Sequence, residues 1–265
     1  MSETNTPMTP SDAGAAHEAN APTMTTPQTL ANIFFEPGRT FEALRERPRF
    51  LVAGLLMLVI FMAFYLTYMQ RVGYDNIVNA EIETRAQQTE MSDDQKAAGR
   101  TIQTKPFVKA IRYGSPLIGI VIVIAAGAGI YLLGAMLMGK GMNYKQALAV
   151  WTYSSLPPLA LSMLTNLVLL MVRPPTDDAE IARGVNGLVH ANPGIVVDGS
   201  AHPILATALG SLDLFAFYGL FLAALGLRQV ARLSSGSAWA VVLGIWLLGV
   251  IVRLVISSVS GTPLG

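Results

Sequence analysis

A chain of 265 residues that is 52% hydrophobic and only 13% charged falls outside the soluble globular range, where about a quarter of residues are charged. It reads as an integral membrane protein. The formal net charge of +1 excludes a nucleic-acid binder working by bulk charge, and the lack of cysteine excludes disulfides, thiolate metal sites and cysteine nucleophiles.

Residues 1–28 carry no Lys or Arg and no apolar run, so they read as a disordered tail rich in Ser, Thr, Ala and Pro, not as a signal peptide. From Thr29 to Arg47, the residues Leu30, Ile33, Phe34, Phe41 and Leu44 recur at helical spacing, opposite Glu42, Arg45 and Glu46. Pro37-Gly38 interrupts the pattern and Arg39-Thr40 restarts it. Segment 29–48 is therefore expected to be an amphipathic helix at the membrane surface, with Phe34, Phe35 and Phe41 as its anchor in the headgroup region. The alternative is a juxtamembrane helix packed on the bundle.

Residues 49–261 read as an all-α membrane domain, a five-helix transmembrane bundle with spans at about 50–69, 115–138, 146–172, 204–227 and 237–259. The first span ends in Tyr65 and Tyr68, as interfacial aromatics do. A mixed-charge extracytoplasmic segment, Gln70–Gly114, follows. Within it Ser92 and Gln95 have capping-box spacing, which predicts a helix start, and Lys105-Pro106 predicts its end. In the second span Ala125 and Gly129 stand four apart, a spacing that lets helix backbones approach closely in lipid. The third contains Pro157 and Pro158, which predict a kink or an unwound stretch near Trp151–Ser155. Thr152, Ser155, Ser162 and Asn166 fall on one face of it, and that face must look into the bundle.

The second extracytoplasmic segment, Arg173–Pro203, holds His190 and His202 on either side of Asp198. They lack the spacing of a metal set, so no metal and no cofactor is expected.

The last two spans form a hairpin through the basic stretch Arg228–Gly236. Asp213 and Arg253 are the charged residues within them, and both lie 20 positions from residue 233 at the turn. In two straight antiparallel helices they would share one depth, so an intramembrane ion pair is expected, with Asn166 at a comparable level. Gly139–Lys145 and Arg228–Gly236 are short, basic and free of acid, and Arg39, Arg45, Arg47 and Arg49 precede the first span. Basic residues in short loops mark the cytoplasmic side, so the N-terminus is expected inside and the C-terminus outside.

Several stretches resemble the Yip-one domain family, named for Ypt-interacting proteins, and in particular its bacterial membrane branch. They are Ile33-Phe34-Phe35-Glu36-Pro37 with Phe41-Glu42-Ala43-Leu44, then Tyr144-Lys145-Gln146-Ala147, Tyr153-Ser154-Ser155-Leu156-Pro157, Leu212-Asp213-Leu214-Phe215 and Gly226-Leu227. The resemblance implies a five-helix membrane domain with a cytoplasmic N-terminus, here in a bacterial inner membrane. Eukaryotic relatives bind small GTPases, largely through cytosolic N-terminal regions. The tail here has no feature that supports GTPase binding.

Of three functional readings, a non-catalytic membrane scaffold or interaction protein is favoured. Its partners would be the bilayer, other membrane proteins or a second copy of the chain, with no nucleic acid. A small-solute or ion permease using Asp213 and the Pro-broken third span is the alternative. An intramembrane enzyme would need a nucleophile or metal motif, and none is present.

Overall fold

Capping residues and prolines set the helix boundaries in this chain. The computed structural model describes residues 24–174, 188–189, 191–199 and 201–264. The first helices are α1 (Thr26–Phe35) and α2 (Pro37–Glu46). A capping box between Thr25 and Gln28 starts α1, and Pro37 at the first position starts α2, where its missing N–H costs nothing. The break therefore falls at Glu36, one residue before the expected interruption.

Next come α3 (Phe50–Val72), α4 (Tyr74–Gln88), α5 (Asp93–Gln103) and α6 (Pro106–Leu137). Gly73, at φ +83°, turns α3 into α4, a conformation open to glycine without strain. The Ser92–Gln95 capping box is present at the start of α5. Pro106 does close that region, but by opening the next helix, so α6 begins well before the expected Ser115.

After these come α7 (Tyr144–Val172), a 3-10 turn at Pro193–Val196, α8 (Pro203–Gly210), α9 (Leu214–Val230) and α10 (Ser235–Ser260). Gly261, in the left-handed region at φ +67°, stops α10. Among the described residues every regular element is a helix. Helices α3, α6, α7 and α10 are each long and apolar enough to cross a bilayer, and α8 with α9 adds a fifth crossing if the bent pair is one span.

Helices in lipid gain little from hiding apolar surface, because lipid tails are as apolar as leucine. Close packing has to hold them. Helix α7 lies at the centre, against α3, α6 and α9. A Cβ on Gly127 of α6 would sit 2.2 Å from the Trp151 ring of α7, so only glycine admits this crossing. Tyr131 lies beside the same indole, ring centroids 4.9 Å apart. Gly134 of α6 likewise makes room for Val241 of α10.

A second apolar cluster lies at the other end of the bundle. Phe64, Tyr65, Tyr68 and Met69 of α3 join Ile77, Val78 and Ile82 of α4 and Leu170 of α7. The polar segment thus folds into a helical head in which α4 shares this cluster with α3 and α7, and α5, with no buried residue of its own, lies against α4. Arg112 pairs with Glu81, while the Tyr65 hydroxyl donates to the Arg112 carbonyl at 2.9 Å. Across the head, Arg100 donates to Asn79 at 2.9 Å and to Glu83 at 3.0 Å.

Gly127→Val should cost about 1–3 kcal/mol through overpacking against Trp151. The check is the thermal midpoint of the detergent-solubilised protein by fluorescence size exclusion. An unchanged midpoint would show that α6 and α7 do not close at this point.

Candidate functional site

The sequence singled out polar and aromatic residues at four places. Each is held by different contacts. The first place is the N-terminal helix pair. Ile33, Phe41 and Leu44 are 0% exposed, whereas Phe34 is 37% and Phe35 83% exposed. Phe41 enters the bundle above Gly226 of α9, where a Cβ would come within 2.9 Å of its ring and of Val150. Phe41 is therefore a protein-buried wedge and not a lipid anchor, because α9 has a glycine where α2 crosses it. Phe34 and Phe35 remain on the outer face.

Polar contacts complete the docking. Gln146 Nε2 donates to the Arg45 carbonyl at 2.8 Å, and the Thr29 hydroxyl lies 3.2 Å from that of Tyr153. Arg49 donates to the Met24 carbonyl at 3.0 Å. Gln146 also closes a capping box with Asn143, so α7 starts at Tyr144, two residues before the expected span. That Asn-x-x-Gln spacing was readable in the sequence and marks the start of the helix that receives α1 and α2.

The second place is the proline pair. Helix α7 runs unbroken through Pro157 and Pro158, so the expected unwinding does not occur. Each proline lacks the N–H that its i−4 carbonyl would accept, which leaves Tyr153 and Ser154 short of a helical partner. Gly219 of α9 faces this spot, where a Cβ would lie 3.5 Å from Pro158 Cγ and 3.8 Å from the Ser154 carbonyl oxygen. Ser154 and Thr152 direct their hydroxyls to the Trp151 and Leu148 carbonyls, at 3.1 and 2.8 Å. Ser155 and Ser162 line a cleft of about 460 Å³ together with Tyr131, Trp151, Pro158 and Phe215. The polar face of the third span does look inward, with Thr152 and Asn166 fully covered.

Asn166 is the third place. It holds a returning loop. Its side-chain oxygen accepts from the Leu188 N–H and, at 2.8 Å, from the Val189 N–H, while its amide donates to the Ser162 carbonyl at 2.9 Å. All this happens at 1% exposure.

The last place is the hairpin. The straight span expected at 204–227 is two helices bent by 45° at Ser211–Asp213. Asp213 is the N-cap of α9 and accepts from the Ala216 N–H at 3.0 Å. A carboxylate is favoured there by the helix dipole. Arg253 is exposed on α10, and no Asp213–Arg253 contact occurs among the salt bridges of the described residues. Equal counting from the turn matches positions along two helices but not the faces their side chains take: Asp213 is turned onto the start of α9, and Arg253 lies on an exposed face of α10. Loop and tail are fastened nearby. The Leu214 N–H donates to the Ala191 carbonyl at 3.0 Å, and Thr207 donates to Ser257 at 3.0 Å while accepting from the Leu264 N–H at 2.8 Å. His190 lies outside the described residues, and among those described no three His, Asp or Glu side chains converge as a metal set.

Asn166→Ala would strand the Leu188 and Val189 N–H groups, at about 1–3 kcal/mol for each buried donor left unpaired. A lower thermal midpoint and faster proteolytic nicking near Leu188 are expected. Nicking at the wild-type rate would show that the clamp does not hold this loop.

Neither a search of curated proteins nor one of solved structures finds a match to this chain. A family model does match. The model of the Yip1 domain covers residues 31–256, from within α1 to the C-terminal part of α10. The stretches that carried the resemblance are those that dock α1 and α2 on α7 and α9 and cap α9 at Asp213. The chain is an integral membrane protein that belongs to the Yip1 domain family.

Proposed function

We propose that this protein is a non-catalytic membrane scaffold that presents its N-terminal helix pair as a fixed surface for a protein partner. The docking of that pair carries the reading. Buried Phe41, the Gln146–Arg45 bond and the Thr29–Tyr153 contact bolt α1 and α2 to two spans at once. A mobile tether needs no such fastening, whereas a recognition surface gains affinity when it is pre-organised. The polar face of α2, with Arg39 and Glu46 exposed, points away from the bundle, and exposed Phe34 and Phe35 suit the headgroup region beside it. We place this surface in the cytoplasm of a bacterial cell, with five spans and the C-terminus on the far side of the inner membrane, as the basic short loops favour.

In mild detergent the wild-type protein should retain a partner that charge reversal at Arg39 and Glu46 releases, with the thermal midpoint unchanged. Equal recovery from both, or solute uptake by liposomes carrying the pure protein, would sink the scaffold reading. For topology, a reporter fused after Gly265 that is active only outside the cytoplasm should give signal. Fluorescence from a cytoplasm-only reporter at that position would reverse the assignment.

A further inference from the structure

We propose that the cleft between α3, α6 and α7 binds the acyl chain of an anionic glycerophospholipid, whose phosphate is held by Arg47 and Lys145. The cleft has a volume of about 330 Å³, within the range of small-molecule sites, and is lined by Phe50, Leu51, Gly54, Ala125, Tyr144 and Thr152 among others. Gly54 forms part of its wall, where a Cβ would make only ordinary contact with Ile124 and Thr152, each at 3.8 Å. The two hydroxyls of the lining are spent inside the protein, Tyr144 on the Ala125 carbonyl at 2.9 Å and Thr152 on the Leu148 carbonyl at 2.8 Å. No polar group in the cleft awaits a ligand, so its inner occupant is hydrocarbon. The mouth is flanked by Leu51 and Leu55, 67% and 59% exposed, which opens the cleft sideways to the bilayer.

An apolar cleft does not by itself choose one lipid over another, since its walls resemble the bilayer interior. Choice comes from the headgroup. Phe50 and Tyr144 both line the cleft and both begin their helices, so one end of it lies where the chain enters α3 and α7. The bond from Gln146 to the Arg45 carbonyl ties these two entries together, one residue along the chain from Lys145 and two from Arg47. Arg47 and Lys145 are exposed, and neither takes part in a salt bridge among the described residues. Arg45 and Arg49 are engaged, by Glu46 and by the Met24 carbonyl. Two basic side chains without partners at the headgroup end of a hydrocarbon slot complement a lipid phosphate with net negative charge.

The full-length protein, delipidated in detergent, would be titrated with dioleoyl phosphatidylglycerol or dioleoyl phosphatidylcholine and read by native mass spectrometry. One phosphatidylglycerol should be retained per chain, in clear preference to phosphatidylcholine. Arg47→Gln with Lys145→Gln should weaken it about fivefold per residue and abolish the preference. Leu55→Trp or Leu51→Trp, each an exposed position at the mouth, should reduce retention of both lipids without lowering the thermal midpoint. Equal retention of the two lipids by the wild type, or unchanged phosphatidylglycerol retention in both tryptophan variants, would overturn the site.

Discussion

Water drives apolar helices together, but lipid does not, and the chain answers this with close approach at a few points on α7. Trp151 lies in the gap left by Gly127, Val150 borders the gap left by Gly226, and Pro158 faces Gly219. Dispersion between atoms is weak per contact and falls steeply with distance, and the approaches at Gly127 and Gly226 need a missing Cβ, whereas at Gly219 a Cβ would make ordinary contact. The same helix also meets the rule that buried backbone and polar groups must find partners. Thr152 and Ser154 turn their hydroxyls onto its own carbonyls, and Asn166 serves two N–H groups of another segment.

The polar residues of the spans accordingly read as fasteners. Asp213 caps a helix, Asn166 clamps a loop, and Thr207 joins α8 to α10 and to the C-terminal residues. Ion pairs of the described residues lie in the N-terminal pair and in the α4–α5 head with the start of α6, where Arg39–Glu36 and Arg100–Glu83 are open to water and Arg112–Glu81 is partly covered.

Hydropathy made the spans legible because lipid tolerates little else at that length, and the Ser92–Gln95 box marked α5 because its chemistry is local. The bend at Ser211–Asp213 was not legible. Leu209 to Leu214 is apolar enough to continue a helix, and one aspartate reads equally as a buried charge or as a cap. Pairing Asp213 with Arg253 followed from counting positions along the helices, which does not report the face each side chain takes. Phe41 and Phe35 look alike in an amphipathic pattern. What separates them is Gly226, far along the chain, which no local periodicity reports. The place of Asn166 depended in the same way on where residues 188 and 189 return.

The seat of Phe41 also orders the birth of the molecule. Its pocket is built from α7 and α9, so α2 cannot settle there until α9, far along the chain, has been inserted. A contact between such distant stretches carries a loop-closure cost and forms late. Until then Phe41 has only the α7 side of its seat, so the arrival of α9 is registered at a helix far from it along the polypeptide.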